Sequence, residues 1–362
     1  MKLFSRSLQY SSLKNRTNTR LPDQHHLAHD LCFILHDVMT QLLISGHKAS
    51  AFTVTVKFRD DADRKAFEQE DIFDWLEATR RVDERVAILV TIVFPAVLGD
   101  MLHCFYEALE TSRKGKMGVS FTLIRKPLQE SLFILESIVA DRKDFADKLT
   151  LAPLKLGSQK AGGIEVHTKR IQQVLDVLGE SQRFDASYIA RLRYDKEARD
   201  GFDGICNKAI HLFTGHKAIQ TEPLNINFIF SKLDATLTQW SYLYSRLPYL
   251  LFYMHRVVEH ICAEVAPTDP EYLRYWDRRL SALVLLWWDT LEFPYLEPHL
   301  REFVLATRDW LFYHCTDAGY RHPSRSDLTK MAETGGYPGE ASRMTKKRIK
   351  KFTRDAKASG AI

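Results

Sequence analysis

Apolar residues recur along this chain at steps of three and four, segment after segment, and that period constrains the fold more than any other feature. Leu27, Leu31, Ile34, Leu35, Val38 and Leu42 fall on one helix face, and Gly46 supplies a stop. The stretch 82–112 reads as a long helix bent at Pro95. Phe121, Ile124, Leu128, Leu132, Leu135 and Val139 form another face, and further helices are expected at 167–178, 186–193, 198–213, 232–265, 271–291 and 297–314. Pro248 marks a bend and Pro294 a break.

Two short stretches alternate instead: Phe52, Val54, Val56 and Phe58, and Leu224, Ile226, Phe228 and Phe230. Both have the period of a half-buried strand. The expected fold is therefore mainly α, a multi-helix bundle, with one small two-stranded β ribbon if the two stretches pair. No G-x-x-x-x-G-K-[ST] or G-x-G-x-x-G occurs, so no phosphate-cradling loop is expected.

A chain of 362 residues accommodates one large domain or two ordinary ones. We divide it into a basic N-terminal arm (1–26), a helical body (27–320) and a basic C-terminal tail (321–362). Small and polar residues at 154–163 offer a split of the body into two lobes, and 334–340 (TGGYPGE) detaches the last basic segment. Residues 1–22 hold five basic residues and no acidic ones, but no continuous apolar core of a secretory signal. The stretch 86–105 is apolar, yet Pro95, Asp100 and His103 make a buried core helix the simpler account than a membrane span. Five dispersed cysteines without a C-x-x-C pair suit reduced thiols in a cytoplasmic setting.

The net charge of +5 is unevenly placed. Residues 321–362 hold 11 Lys and Arg against 4 Asp and Glu, a balance of +7, so the other 320 residues sum to −2. Such a tail suits a polyanion, with Lys346, Lys347, Arg348, Lys350 and Lys351 as phosphate contacts. Aromatics from Trp240 to Trp310, interleaved with Arg246, Arg256, Arg274, Arg278 and Arg279, read either as a stacking surface for single strands or as core with snorkelling arginines.

Three constellations carry candidate chemistry. His25, His29, Cys32 and His36 share one face of the first helix, opposite the leucines, and His at i and i+4 offers two ligands to a metal. No second His pair or H-E-x-x-H completes that set, so no cofactor is expected. Arg125, Gln129 and Glu136 line one helix edge, and Asp203, Asn207 and His211 line another, which is the make-up of either a structural charge network or a site. Third come Arg308, Asp309 and His314 on the 297–314 helix. His314 lies in its last turn, where the helix dipole favours an imidazolium.

The Arg308-to-His314 pattern resembles the R-x(4–6)-H signature of HEPN-domain ribonucleases. The stretches 114–141 and 206–231 also look like uncharacterised bacterial helical proteins, some of them HEPN-like. This resemblance implies a metal-independent ribonuclease or effector of a bacterial defence or stress system, acting on RNA as a homodimer whose two copies line one cleft. His314 would serve as general acid, Arg308 would stabilise phosphorane charge and Asp309 would orient. Two alternatives stand beside it. One is a non-catalytic helical module whose basic tail engages nucleic acid or a partner protein, and the other is a metalloprotein using His25, His29 and His36.

Overall fold

The computed structural model describes residues 19–157, 162–211, 233–266 and 268–358, with the backbone alone at 352, 353 and 355–358. It is mainly α, a multi-helix bundle, as the periodicity predicts. In chain order the helices are α1 (His26–Lys48), α2 (Asp61–Phe67), α3 (Ile72–Ala78), α4 (Val82–Arg113), α5 (Met117–Lys126), α6 (Leu132–Ala140), α7 (Arg142–Leu151) and α8 (Ile164–Leu178). They continue as α9 (Ala186–Tyr194), α10 (Phe202–Ile210), α11 (Leu233–Val265), α12 (Pro270–Trp288), α13 (Pro298–Asp317), α14 (Arg325–Thr334) and α15 (Ser342–Ala358).

The centre is α11, buried on nearly every side between Gln239 and Cys262. It packs on α1, α6 and α8, while α1 also packs on α4 and α12. With so many neighbours α1 keeps little solvent face, chiefly Asp37 and its last turn, so it buries histidines as well as leucines: Leu31, Leu35 and Val38 are buried, and so are His29, Cys32 and His36. By length and composition, 23–48 and α4 are apolar enough to cross a membrane. In this bundle α4 buries Phe94, Leu98, Met101, Leu102 and Phe105 against its neighbours.

Local physics departs from the sequence reading in three places. Gly46 does not stop α1, which runs on to Lys48. Its role is space: a Cβ there would lie 2.5 Å from the Phe52 ring. Phe52 to Val56 alternates in burial as expected, Phe58 is exposed, and the stretch forms no strand; no strand occurs among the described residues. Phe52 packs on Phe94 and Phe58 on Trp75, so alternate side chains settle onto helices instead of a sheet. The proposed partner stretch, 224–230, lies outside the described residues. Finally, the 121–139 face is not one helix. A π turn over Pro127–Ser131 joins α5 to α6, where proline removes a backbone donor and adds a wider turn.

The C-terminal segment is folded onto the body. α14 packs along α12, and the loop after it is buried at Gly335, Gly336, Tyr337, Pro338 and Glu340. Stretch 334–340 thus seats the last helix instead of detaching it. Gly335 ends α14 at φ 66°, and a Cβ there would fall 2.2 Å from the Tyr275 ring, so only glycine fits.

Candidate functional site

α15 is built on one inward anchor. Glu340 is buried and accepts from Arg348 Nη1 at 2.8 Å, Arg348 Nη2 at 3.0 Å, Thr345 Oγ1 at 3.0 Å and the Tyr337 backbone N–H at 2.9 Å. Such a charge-assisted, bidentate arginine fixes the helix direction as well as its position. At about 100° per residue, Arg343, Lys346, Lys347, Lys350, Lys351 and Arg354 fall within roughly 140° of the opposite face. All six are exposed. Among the described residues, no carboxylate pairs with Arg343, Lys346, Lys347, Lys350 or Lys351. Arg348 departs from the expectation of a phosphate contact. It points inward, because its position on the helix wheel lies beside Thr345 and Ile349.

Beneath α15 lies a group that sequence reasoning missed. Arg278 and Arg279 on α12 are fully buried, neither a stacking surface nor snorkelling, and neither has a carboxylate partner among the described residues. Arg278 Nε donates to the Gly335 carbonyl at 3.2 Å, Arg279 Nε to the Ala332 carbonyl at 2.9 Å, and Arg348 Nη2 to Gly335 at 3.0 Å. The counter-charge is therefore the C-terminal end of α14, whose last carbonyls lack intrahelical partners and carry partial negative charge. The Tyr337 ring lies 4.2 Å from the Arg278 guanidinium carbon and 4.9 Å from that of Arg348.

His314 joins this group. Its Nε2 lies 3.0 Å from Arg278 Nη1 and 3.2 Å from the Tyr337 hydroxyl, and its ring stacks on Trp310. Burial lowers its pKa below the ordinary value, and Arg278 and Arg274 lower it further. The expected imidazolium is thus overturned: desolvation and a facing guanidinium outweigh the dipole of the last turn. Arg308 points elsewhere. It is 43% exposed and donates from Nε and Nη2 to its neighbour Asp309 at 2.9 and 2.8 Å. Within one chain the three residues of the R-x5-H pattern do not converge.

Arg125, Glu136, Asn207 and His211 divide between two centres. Glu136 on α6 is fully buried, ion-paired to the fully buried Arg193 of α9, with the Tyr253 hydroxyl at 2.8 Å and Arg170 Nη2 at 3.0 Å. Burial alone would raise the carboxyl pKa, but Arg193 and Arg170 hold it below the usual range. Asn207 belongs to Asp203: its Nδ2 donates to Asp203 Oδ1 at 2.8 Å, and Gln129 Nε2 reaches the same oxygen at 2.6 Å. The π turn links the centres, since the Leu128 carbonyl accepts from Arg193 Nε at 2.6 Å and the Gln129 carbonyl from Tyr194 at 3.2 Å. Arg125 is not the partner of Glu136, and its Nε is buried without a hydrogen bond among the described residues. His211 is exposed just beyond α10. The sequence offers a structural charge network as one reading of Arg125 and Glu136, but nothing in it points to Arg193 and Arg170.

The first-helix histidines are buried and separate, which corrects their reading as a shared metal face. His25 Nε2 lies 3.4 Å from Ser241 Oγ, and burial followed by His26 lowers its pKa to about 4. His29 packs edge-on to Tyr244, and His36 lies between Asp37 at 2.9 Å and the Leu102 carbonyl at 3.2 Å. Among the described residues no group of three or more His, Cys, Asp or Glu is placed to hold a metal ion. The five cysteines are all free thiols.

With this geometry in hand, comparison with family models, with curated proteins and with solved structures found no match.

Proposed function

We propose that this chain is a helical binding module whose α15 engages the phosphate backbone of RNA. One observation carries the reading: five exposed cations on one face of α15 have no acidic partner among the described residues, while Arg348 and Thr345 hold the opposite face on Glu340. A fixed row of unpaired cations gains affinity by releasing condensed counterions from phosphates, without base contacts. The test is the salt dependence of single-stranded RNA binding by the full chain. Replacing Lys346, Lys347, Lys350 and Lys351 by Ala should flatten the log–log slope by about 3. An unchanged slope rejects the reading.

A second reading, a HEPN-like ribonuclease using Arg308, Asp309 and His314, is favoured by one contact. Tyr337 touches both His314 and Arg348, so one ring links the imidazole to the inward anchor of α15, the helix whose opposite face would carry RNA. Arg308 would then come from a second copy, and a neutral His314 would act as base instead of acid. Cleavage that survives EDTA and is lost in both Arg308→Ala and His314→Ala supports it. Binding without cleavage leaves the first reading alone.

A further inference from the structure

A small cavity lies beside the start of α1, where the turn carrying His25 meets α11 and the loop after α12. Its walls include His25, Ser241, Ser245, Thr290, Glu292 and Tyr295. Ser241 and Ser245 stand four positions apart on α11, so one face of that helix supplies the inner wall. The space is about 10 Å³, room for the centre of one water-sized particle. His25 and Ser241 are buried, while Glu292 is exposed and marks the side that meets solvent.

The lining is rich in acceptors and poor in free protons. Ser245 Oγ donates to the Tyr242 carbonyl at 2.8 Å and Thr290 Oγ1 to the Trp287 carbonyl at 2.7 Å, so both hydroxyls keep only lone pairs. Ser241 Oγ lies 3.4 Å from His25 Nε2 and 3.4 Å from Glu292 Oε2. Both distances exceed the ~3.0 Å of a well-made bond, and one hydroxyl proton cannot serve two acceptors. His25 is neutral at pH 7, because burial and then His26 lower its pKa to about 4, and a neutral imidazole keeps one acceptor nitrogen. Glu292 adds a carboxylate. Gln24 Nε2 donates to its Oε1 at 2.7 Å, and among the described residues no Lys, Arg or His pairs with it.

We infer that this cavity holds a primary ammonium group, either the ammonium ion itself or the head of a small alkylamine. Ammonium is close to water in size and carries donors only, which matches a wall made of acceptors. Its charge supplies the cation that Glu292 lacks, and a charge-assisted bond is stronger than the neutral one it replaces. A water molecule there would bring two lone pairs to a wall with few donors. A quaternary ammonium has no N–H and exceeds the space. Because the mouth lies on the Glu292 side, an alkyl chain can trail outward from a head group seated on Ser241. The site shares no residue with α15 or its anchor, so it stands or fails apart from RNA binding.

The experiment follows the melting temperature of the full chain through titrations with ammonium chloride and methylammonium chloride, at constant ionic strength held with sodium chloride. Potassium chloride and tetramethylammonium chloride are the controls. A ligand that binds only the folded chain raises the melting temperature along a saturating curve. Ammonium should do so with an apparent affinity at least tenfold above that of either control. An equal response to methylammonium makes an amine head the occupant, and a response to ammonium alone makes it the free ion; both support the inference. Glu292→Gln, which keeps the shape of an exposed side chain and removes its charge, should weaken the response about tenfold or more. Ser241→Ala should weaken it less. The melting temperature of each variant without ammonium shows whether it folds, and if neither variant folds the cation series alone decides. Three results overturn the inference: no saturable rise with ammonium, an equal response to potassium, or unchanged affinity in a folded Glu292→Gln. Ordered water alone in the cavity would give the first of these.

Discussion

Two regions bury arginine completely, and they balance the charge by different means. At the α6–α9 centre, Arg193 meets the carboxylate of Glu136, and Arg170 and the Tyr253 hydroxyl complete the shell. At the α12–α14 centre, Arg278 and Arg279 meet no carboxylate among the described residues and donate to main-chain carbonyls at the end of α14 and to aromatic hydroxyls. The first is a full ion pair inside one core and stands or falls with the whole bundle. The second exists only while α14 is seated, so its charge is balanced by a docking event. Burying charge in the second way makes the position of α15 depend on a local equilibrium instead of the global one.

Four measurements break this comparison or sharpen it, in decreasing order of effect. Glu136→Ala leaves Arg193 and Arg170 facing each other in the core without compensation. It should destabilise the whole chain by about 3–5 kcal/mol, read as a lowered urea midpoint. Arg279→Ala removes one donor to the α14 end together with its packing on the Trp276 ring, at 4.7 Å. Its expected cost is about 1–3 kcal/mol, spent locally. Amide exchange should rise across 325–350 and stay unchanged in α6 and α9. A uniform rise would mean that the two centres are one cooperative unit.

Protons reach the second centre through His314. Its folded pKa is depressed, so the undocked or unfolded chain takes up the proton first. Docking is therefore intact above the ordinary value of about 6.5 and weakens as pH falls below it. The groups acting on the ring include Arg278 and Arg274, which oppose protonation, and Asp277 and Glu271, which partly offset them. His314→Gln should flatten the acid-dependent exchange of 325–350. An identical profile in the variant would assign the acid response to other histidines, such as His255, which burial holds at about 3.

How much of this was readable differs along the chain. Long apolar periods announce α4 and α11 almost to the residue, because each helix has to bury a stripe at its own period. The π turn was hidden, since Pro127 falls within an unbroken apolar face and the register shift leaves that face intact. Asp203 and Asn207 share one predicted helix face and Gln129 lies on another, and only packing of α10 on α5 brings the three together. The partners of Arg278 and Arg279 are backbone carbonyls more than fifty positions away, and a backbone atom leaves no mark in a sequence. Arg348 was legible in principle. Within KKRIKK it is the one cation on the side of Thr345 and Ile349, and treating the run as a single patch concealed that.

The smallest expected effect is the most direct control on the comparison. Arg308, like Arg278, is an arginine on a core helix near His314 in sequence or in space, but its guanidinium is exposed and bonded to the adjacent Asp309. An exposed pair between neighbouring residues gains little, because water solvates both partners when they separate. Arg308→Ala should therefore shift stability by no more than about 0.5 kcal/mol and leave exchange in 325–350 unchanged. The same truncation at Arg278 should release that segment, because its donors go to Gly335 and Tyr337 and no water replaces them. If the two variants behave alike, burial of the guanidinium is not what seats α14. The docking would then rest on apolar contacts such as Met331 and Ala332, both of which lie in the core.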